Sequence, residues 1–362
     1  MNRRRIKGLN TLRALAVIGV LLYHAFPVVF SGGFFGVLLF FVISGYLSGY
    51  QTITAMKERT FSLGAYYRRR FLRIWPALII VLLAGTAVLS RIDLYRLADT
   101  RQEVLSVLLG YNNYWQLHMN ASYFNDIADA SPFTHLWYIA LLIQFEVFWP
   151  FLAFLYDRLR RSAGKAPALL CMFILTVISF VIMPVMVLRG KDLSYIYYAT
   201  ETRVFSLLAG AFSGILRAEN MGMRPLKFAD RYTPRIIVSA FIIGTLLLYL
   251  WASGSARIVY LGGMQLYTVL TCLVIEVMVQ NRKHLRHFVD DRISNAVSSL
   301  SYELYLWQYP VLLFSSLLYP ERKPLTVILS LVLIVVLSIW LHTFTSMLFR
   351  GNRRIRKAVR TA

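Results

Sequence analysis

Apolar runs of about twenty residues recur from one end of this chain to the other, each long enough for a helix to cross a bilayer. That recurrence limits the fold more than any motif does. In hydrocarbon every backbone N–H and C=O needs an internal partner, so such runs become helices packed on one another. Ten are expected, near 9–30, 34–54, 73–90, 133–156, 167–188, 202–218, 235–253, 257–280, 299–319 and 324–349. The fold class that follows is all-α, a polytopic transmembrane helical bundle. Composition agrees: 58% of the 362 residues are hydrophobic, where a soluble domain is nearer about half.

A net charge of +22 raises the question of nucleic acid. The charge does not gather on one face, however; it comes in short clusters between the apolar runs. With the N-terminus inside, 29 of the 39 Lys and Arg fall in inner segments and eight in outer ones, while Arg13 and Arg203 lie within spans. This is the positive-inside pattern, and ten spans return the C-terminus to the cytoplasm. Nucleic acid is therefore excluded as a partner and membrane lipid is expected. Cys171 and Cys272 both sit in apolar runs, so neither a disulfide framework nor a metal site is expected. No signal peptide is read at the start. One domain is expected over 1–362, with an outer loop or re-entrant segment at 91–132 and a basic cytoplasmic tail at 350–362 that meets anionic lipid.

Ionisable groups inside such runs are costly, and their default reading is functional. Arg13 and His24 flank the first run, RALAVIGVLLYH. Eleven residues is close to three helical turns, which sets them roughly 16 Å apart on one side of a helix. Imidazole titrates near neutral pH and can take a proton from a hydroxyl. Arg70 and Arg73, in YYRRRFLRIWP, are three apart and share a helix face. Two guanidiniums so placed suit a phosphate or pyrophosphate. Glu146, Glu201 and Glu303 are the carboxylates near membrane depth that are able to orient His24; Glu201 and Arg203 also suit an interface. His135 opens the fourth span toward the outer mouth, and Trp115 and Trp137 suit either a sugar ring or the interfacial belt. His342 stands alone on the last span, where packing is the plainer reading. Gly32, Gly33, Gly36 and Gly45 with Ser44 let helix backbones approach closely, or leave a passage for a thin acyl arm.

Taken in order, these blocks resemble the acyltransferase-3 family of integral membrane acyltransferases over essentially the whole chain. The basic residue, ten-residue gap and His match as Arg13 and His24. GGFFGVLLFFVISGYL is similar to the second-span signature and YYRRRFLRIWP to the Arg-x-x-Arg segment. NNYW, HLWYIALLIQFEVFWP, TRVFSLLAGAFSG and SYELYLWQYPV follow in the family's order. The chain departs from the family at Leu38 and Leu142, where many members carry an acid, and at Gln308, where the usual residue is His. These departures resemble the branch related to Gram-positive peptidoglycan O-acetyltransferases, which often carry an appended extracellular domain that is not expected here.

The resemblance implies transfer of an acyl group, commonly acetyl, from cytoplasmic acyl-CoA to a hydroxyl of a surface glycan or lipid-linked saccharide. It implies a bacterial cytoplasmic membrane location, His24 as catalytic base, and Arg13, Arg70 and Arg73 as acyl-CoA contacts. No metal is expected. A transporter or flippase of an anionic or glycolipid substrate also fits ten spans. It would move substrate without consuming acyl-CoA and would show inverted repeats, which this sequence does not display.

Overall fold

The computed structural model describes Ile6 and residues 8–119, 131–222, 226–286, 288–321 and 323–348. The tail at 350–362, His287, and Asp126 and Asp129 of the 91–132 segment lie outside the described residues. Every regular element among those described is helical. In chain order they are α1 (Leu9–Ala25), α2 (Phe35–Lys57), α3 (Leu63–Ile92), α4 (Leu94–Leu109), α5 (Asn112–His118), a 3-10 turn (Thr134–Leu136), α6 (Trp137–Ser162), α7 (Lys165–Leu188) and α8 (Leu193–Tyr198). Then come α9 (Thr200–Ala218), α10 (Tyr232–Trp251), a π turn (Val259–Gly263), α11 (Met264–Gln280), α12 (Arg292–Ser299), α13 (Ser301–Leu318) and α14 (Pro324–Leu348).

Seven helical stretches are long and apolar enough to cross a membrane: α2, α3, α6 with the 3-10 turn before it, α7, α10, α11 with the π turn before it, and α14. The other three expected spans are helices too. Of these, α1 is shorter at 17 residues, while α9 and α13 are long enough but carry more polar groups. The all-α membrane bundle is thus the observed fold class. The 91–132 segment is helical in its described part, as α4 and α5. Asp93 caps α4 by accepting from the Arg96 amide, and its other oxygen accepts from Arg96 Nε at 2.8 Å. The amide hydrogen bond first, and the guanidinium with it, hold this carboxyl below the usual range.

The chain groups into two compact units that interleave in sequence. The larger holds the described residues within 5–61 and 144–298; the smaller holds those within 62–143 and 299–348. In the larger unit, α2 and α9 pack backbone to backbone. A Cβ added at Gly45 would lie 2.0 Å from the Leu207 carbonyl oxygen, and one at Gly49 would lie 2.2 Å from that of Ala211. From the other side, Gly210 meets the Val42 carbonyl and Gly214 that of Tyr46. Two small-xxx-small stripes therefore face each other, which gives dispersion contact along the full seam. Gly33 and Gly36 seat against α1 in the same way, and Gly32 against the Leu248 carbonyl of α10. Neighbouring backbone fills these glycine faces, so packing is their role and no passage for an acyl arm opens at them.

The core of this unit gathers Leu9 and Leu12 of α1, Val42, Ile43, Tyr46 and Leu47 of α2, and Cys272, Ile275 and Met278 of α11. The start of α1 is held from far along the chain. Asp290 accepts from the amides of Gly8 at 2.9 Å and Asn10 at 3.1 Å, and its own amide donates to Thr11 Oγ1 at 2.7 Å. These bonds satisfy helix-end donors that α1 cannot satisfy internally. Gly8 sits at φ +91, a left-handed conformation that suits glycine.

In the smaller unit, α13 packs on α14 and α3, and α3 packs on α4. Helices α7, α10 and α14 leave most of their apolar length exposed, with side chains such as Ile178, Leu247 and Val332 on the outside. In water that would be a liability; against lipid tails it is the ordinary outer surface of a bundle.

Candidate functional site

The larger unit places His24 on the last turn of α1. Both ring nitrogens are shielded from the surface, so the imidazole points into protein. Its environment is aromatic. Tyr23 meets the His24 ring edge-on at 5.2 Å, Phe34 meets Tyr23 at 6.0 Å, and Tyr197 meets Phe34 at 6.2 Å. At the end of that series the Arg203 guanidinium lies 4.6 Å over the Tyr197 ring. Arg203 is 1% exposed, and its Nη1 donates to Met264 Sδ at 2.7 Å. It is therefore a buried cation beside an aromatic face rather than an interfacial charge. Sequence reasoning passed over it because a charge near a span end reads as interfacial; only burial separates the two cases.

Arg13 occupies the same helix as His24, half-buried and near the opposite end. Tyr249 of α10 fixes that helix by donating to the Leu15 carbonyl at 3.1 Å, with its ring lying where a side chain at Gly19 would go.

The candidate carboxylates each have a partner of their own. Buried Glu146 accepts from Ser48 Oγ at 2.8 Å, beside Trp149, whose indole donates to the Ser48 carbonyl. Glu201 accepts from Tyr195 Oη at 2.6 Å. A further acid, Glu219, is buried where α9 ends. Lys57 approaches it at 3.2 Å, Lys165 at 3.5 Å and Arg160 at 3.6 Å. A carboxylate at a helix C-terminus opposes the helix dipole, and three cations offset that cost while tying α2, α6 and α7 to α9.

The smaller unit holds Arg70 and Arg73 on α3. Arg70 is half-buried with its guanidinium 5.2 Å over Tyr66, and Arg73 is exposed. Tyr302 of α13 ties to this helix by donating to the Ile74 carbonyl at 2.8 Å. Glu303 pairs with His342 Nδ1 at 2.9 Å, so the last-span histidine expected to pack alone has a carboxylate partner. His135 is 1% exposed on the 3-10 turn, its ring stacked on Tyr309 at 5.2 Å and its carbonyl accepting from Tyr305 Oη. Trp137, at the start of α6, is buried. Upstream of the turn, buried Glu103 accepts from Gln116 Nε2 at 2.7 Å and from Ser131 Oγ, which fastens α4, α5 and the turn together. Its sequence context, one acid among several in a polar stretch, carries no sign of that burial.

The larger unit thus presents an enclosed imidazole on α1. Within the smaller unit, Arg70 and Arg73 stand three residues apart on α3. The acyltransferase domain family matches residues 6–343, nearly the whole chain. The chain belongs to this family. Among curated proteins it is similar to the O-acetyltransferase OatA of Staphylococcus aureus, 29% identical over 332 residues, covering 88% of this chain and 53% of that protein. It is similar also to the peptidoglycan O-acetyltransferase OatA of Listeria monocytogenes, 30% identical over 318 residues, covering 86% and 50%. The chain thus spans about half the length of the curated relatives it matches. No solved structure matches it.

Proposed function

We propose that this acyltransferase moves an acetyl group from acyl-CoA to a hydroxyl of a cell-surface or exported glycan, free or lipid-linked, with peptidoglycan the leading acceptor. The domain is taken as 1–362, in a bacterial cytoplasmic membrane with both termini inside and 91–132 outside. The observation that carries the reading is the His24 imidazole, enclosed by protein on a membrane helix. Enclosure excludes the water that would otherwise hydrolyse a thioester.

His24 takes the proton of the acceptor hydroxyl as its oxygen attacks the thioester carbonyl. The carbon–sulfur bond breaks, and the departing thiolate is protonated by the imidazolium so formed. Arg13, Arg70 and Arg73 supply charge-assisted hydrogen bonds to the phosphates of the donor nucleotide. The names of the relatives support an acetyl group and a peptidoglycan acceptor.

The test is release of CoA thiol by purified protein with and without peptidoglycan fragments. His24→Ala should lower transfer by about a hundred- to ten-thousand-fold, the range for a lost general base, while the donor still binds. Transfer near the wild-type rate in that variant would sink the mechanism.

A further inference from the structure

Gln308 lies in the middle of α13 and is 0% exposed. Neither its amide nitrogen nor its amide oxygen has a hydrogen-bond partner. A buried side-chain amide left in that state is costly, more so in a helix bundle without bulk water, and calls for an explanation. Its surroundings supply one. Tyr305 precedes it by three residues on the same helix face, and Tyr309 follows it directly. These are the two rings that hold His135, by the Tyr305 hydrogen bond to its carbonyl and by the Tyr309 stack. The 3-10 turn bearing His135 closes the segment that the charge bias assigns to the outer side. Gln308 is thus flanked by the residues that anchor that segment to α13.

The chemistry of the amide narrows the ligand. Nε2 offers two donors and Oε1 accepts. Phosphates and acyl carbonyls only accept, and they leave Oε1 unsatisfied. A sugar with neighbouring hydroxyls both gives and takes. We propose that Gln308 binds the glycan acceptor, Oε1 accepting from one hydroxyl and Nε2 donating to the next. This rests on the acyl-transfer reading for what happens to the bound sugar, but not for the binding itself.

The experiment uses the full chain in nanodiscs, soluble peptidoglycan fragments as probe, and Gln308→Met, which keeps length and apolar volume while removing the amide. Because the amide is unpaired in the protein alone, the melting temperature of ligand-free Gln308→Met should equal or exceed that of wild type. Fragments should raise the wild-type melting temperature and leave that of the variant unmoved. In initial rates the acceptor KM should rise about tenfold, as for a lost hydrogen-bonding pair, with the donor KM unchanged. Gln308→Asn, which keeps the amide on a shorter stem, should recover part of the loss.

A fall in ligand-free melting temperature would make the amide a structural partner and overturn the proposal. An unchanged acceptor KM, or a rise in the donor KM instead, would overturn it equally. Fragment binding by wild type without thiol release would count against acyl transfer, yet the binding comparison would still decide the role of Gln308. Failure of wild type to bind the fragments would overturn the acceptor assignment.

Discussion

At the scale of single residues, the arginines and the histidine differ in what their loss should do. Arg70 and Arg73 sit on one face of α3, one half-buried over Tyr66 and one exposed. Neither side chain is fully buried, so truncation should leave the fold in place. Arg70→Ala and Arg73→Ala are each expected to weaken acyl-CoA binding by about tenfold or more, the worth of a charge-assisted hydrogen bond, with acceptor affinity unchanged. Isothermal titration with CoA measures this, and unchanged affinity in both variants would remove the phosphate assignment. The sequence suggests Arg70 and Arg73 because their spacing puts them on one helix face, and His24 because an ionisable group in an apolar run is costly. Arg203, Glu103 and Gln308 were not legible in that way. A polar residue in a sequence does not announce whether it meets solvent, a partner or nothing.

At the scale of elements, the glycines of α2 and α9 govern how close two helices come. Gly45→Val would drive a side chain into the Leu207 carbonyl, so α2 and α9 would have to part. Overpacking of this kind typically costs about 1–3 kcal/mol, and here the upper end is expected because the obstruction is backbone. Gly244, on α10, has open space where its Cβ would go. Gly244→Ala should be neutral or stabilising by up to about 1 kcal/mol through helix propensity. Melting temperatures of the two variants, read side by side, separate close packing from a general intolerance of change. A small-residue pattern was visible in α2 from sequence, but its partner stripe in α9 was not, since pairing depends on which helices become neighbours.

At the scale of the whole molecule, the bias of Lys and Arg sets an orientation that is open to direct test. In a Cys171→Ser, Cys272→Ser background, a thiol introduced as Lys283→Cys should react with a membrane-impermeant reagent only after permeabilisation. One introduced as Lys191→Cys should react in intact cells. The reverse pattern would invert the bundle and move the outer segment to the cytoplasm. Interleaving matters at this scale too: each unit is assembled from stretches far apart in the chain, with α6 passing from one to the other at residues 143 and 144. Neither unit is therefore a segment that can be cut out and studied alone.

Helical class and the places of the apolar helices were set by the sequence itself, because the length of an apolar run and the need to satisfy every backbone group in lipid are properties of a local stretch. The tertiary structure alone decided what each polar group meets. Asp290 caps a helix 280 residues away, Glu303 finds His342, and Gln308 finds nothing. Such pairings arise only once distant helices pack, when burial makes a partner's presence or absence worth more than anything the neighbouring residues record.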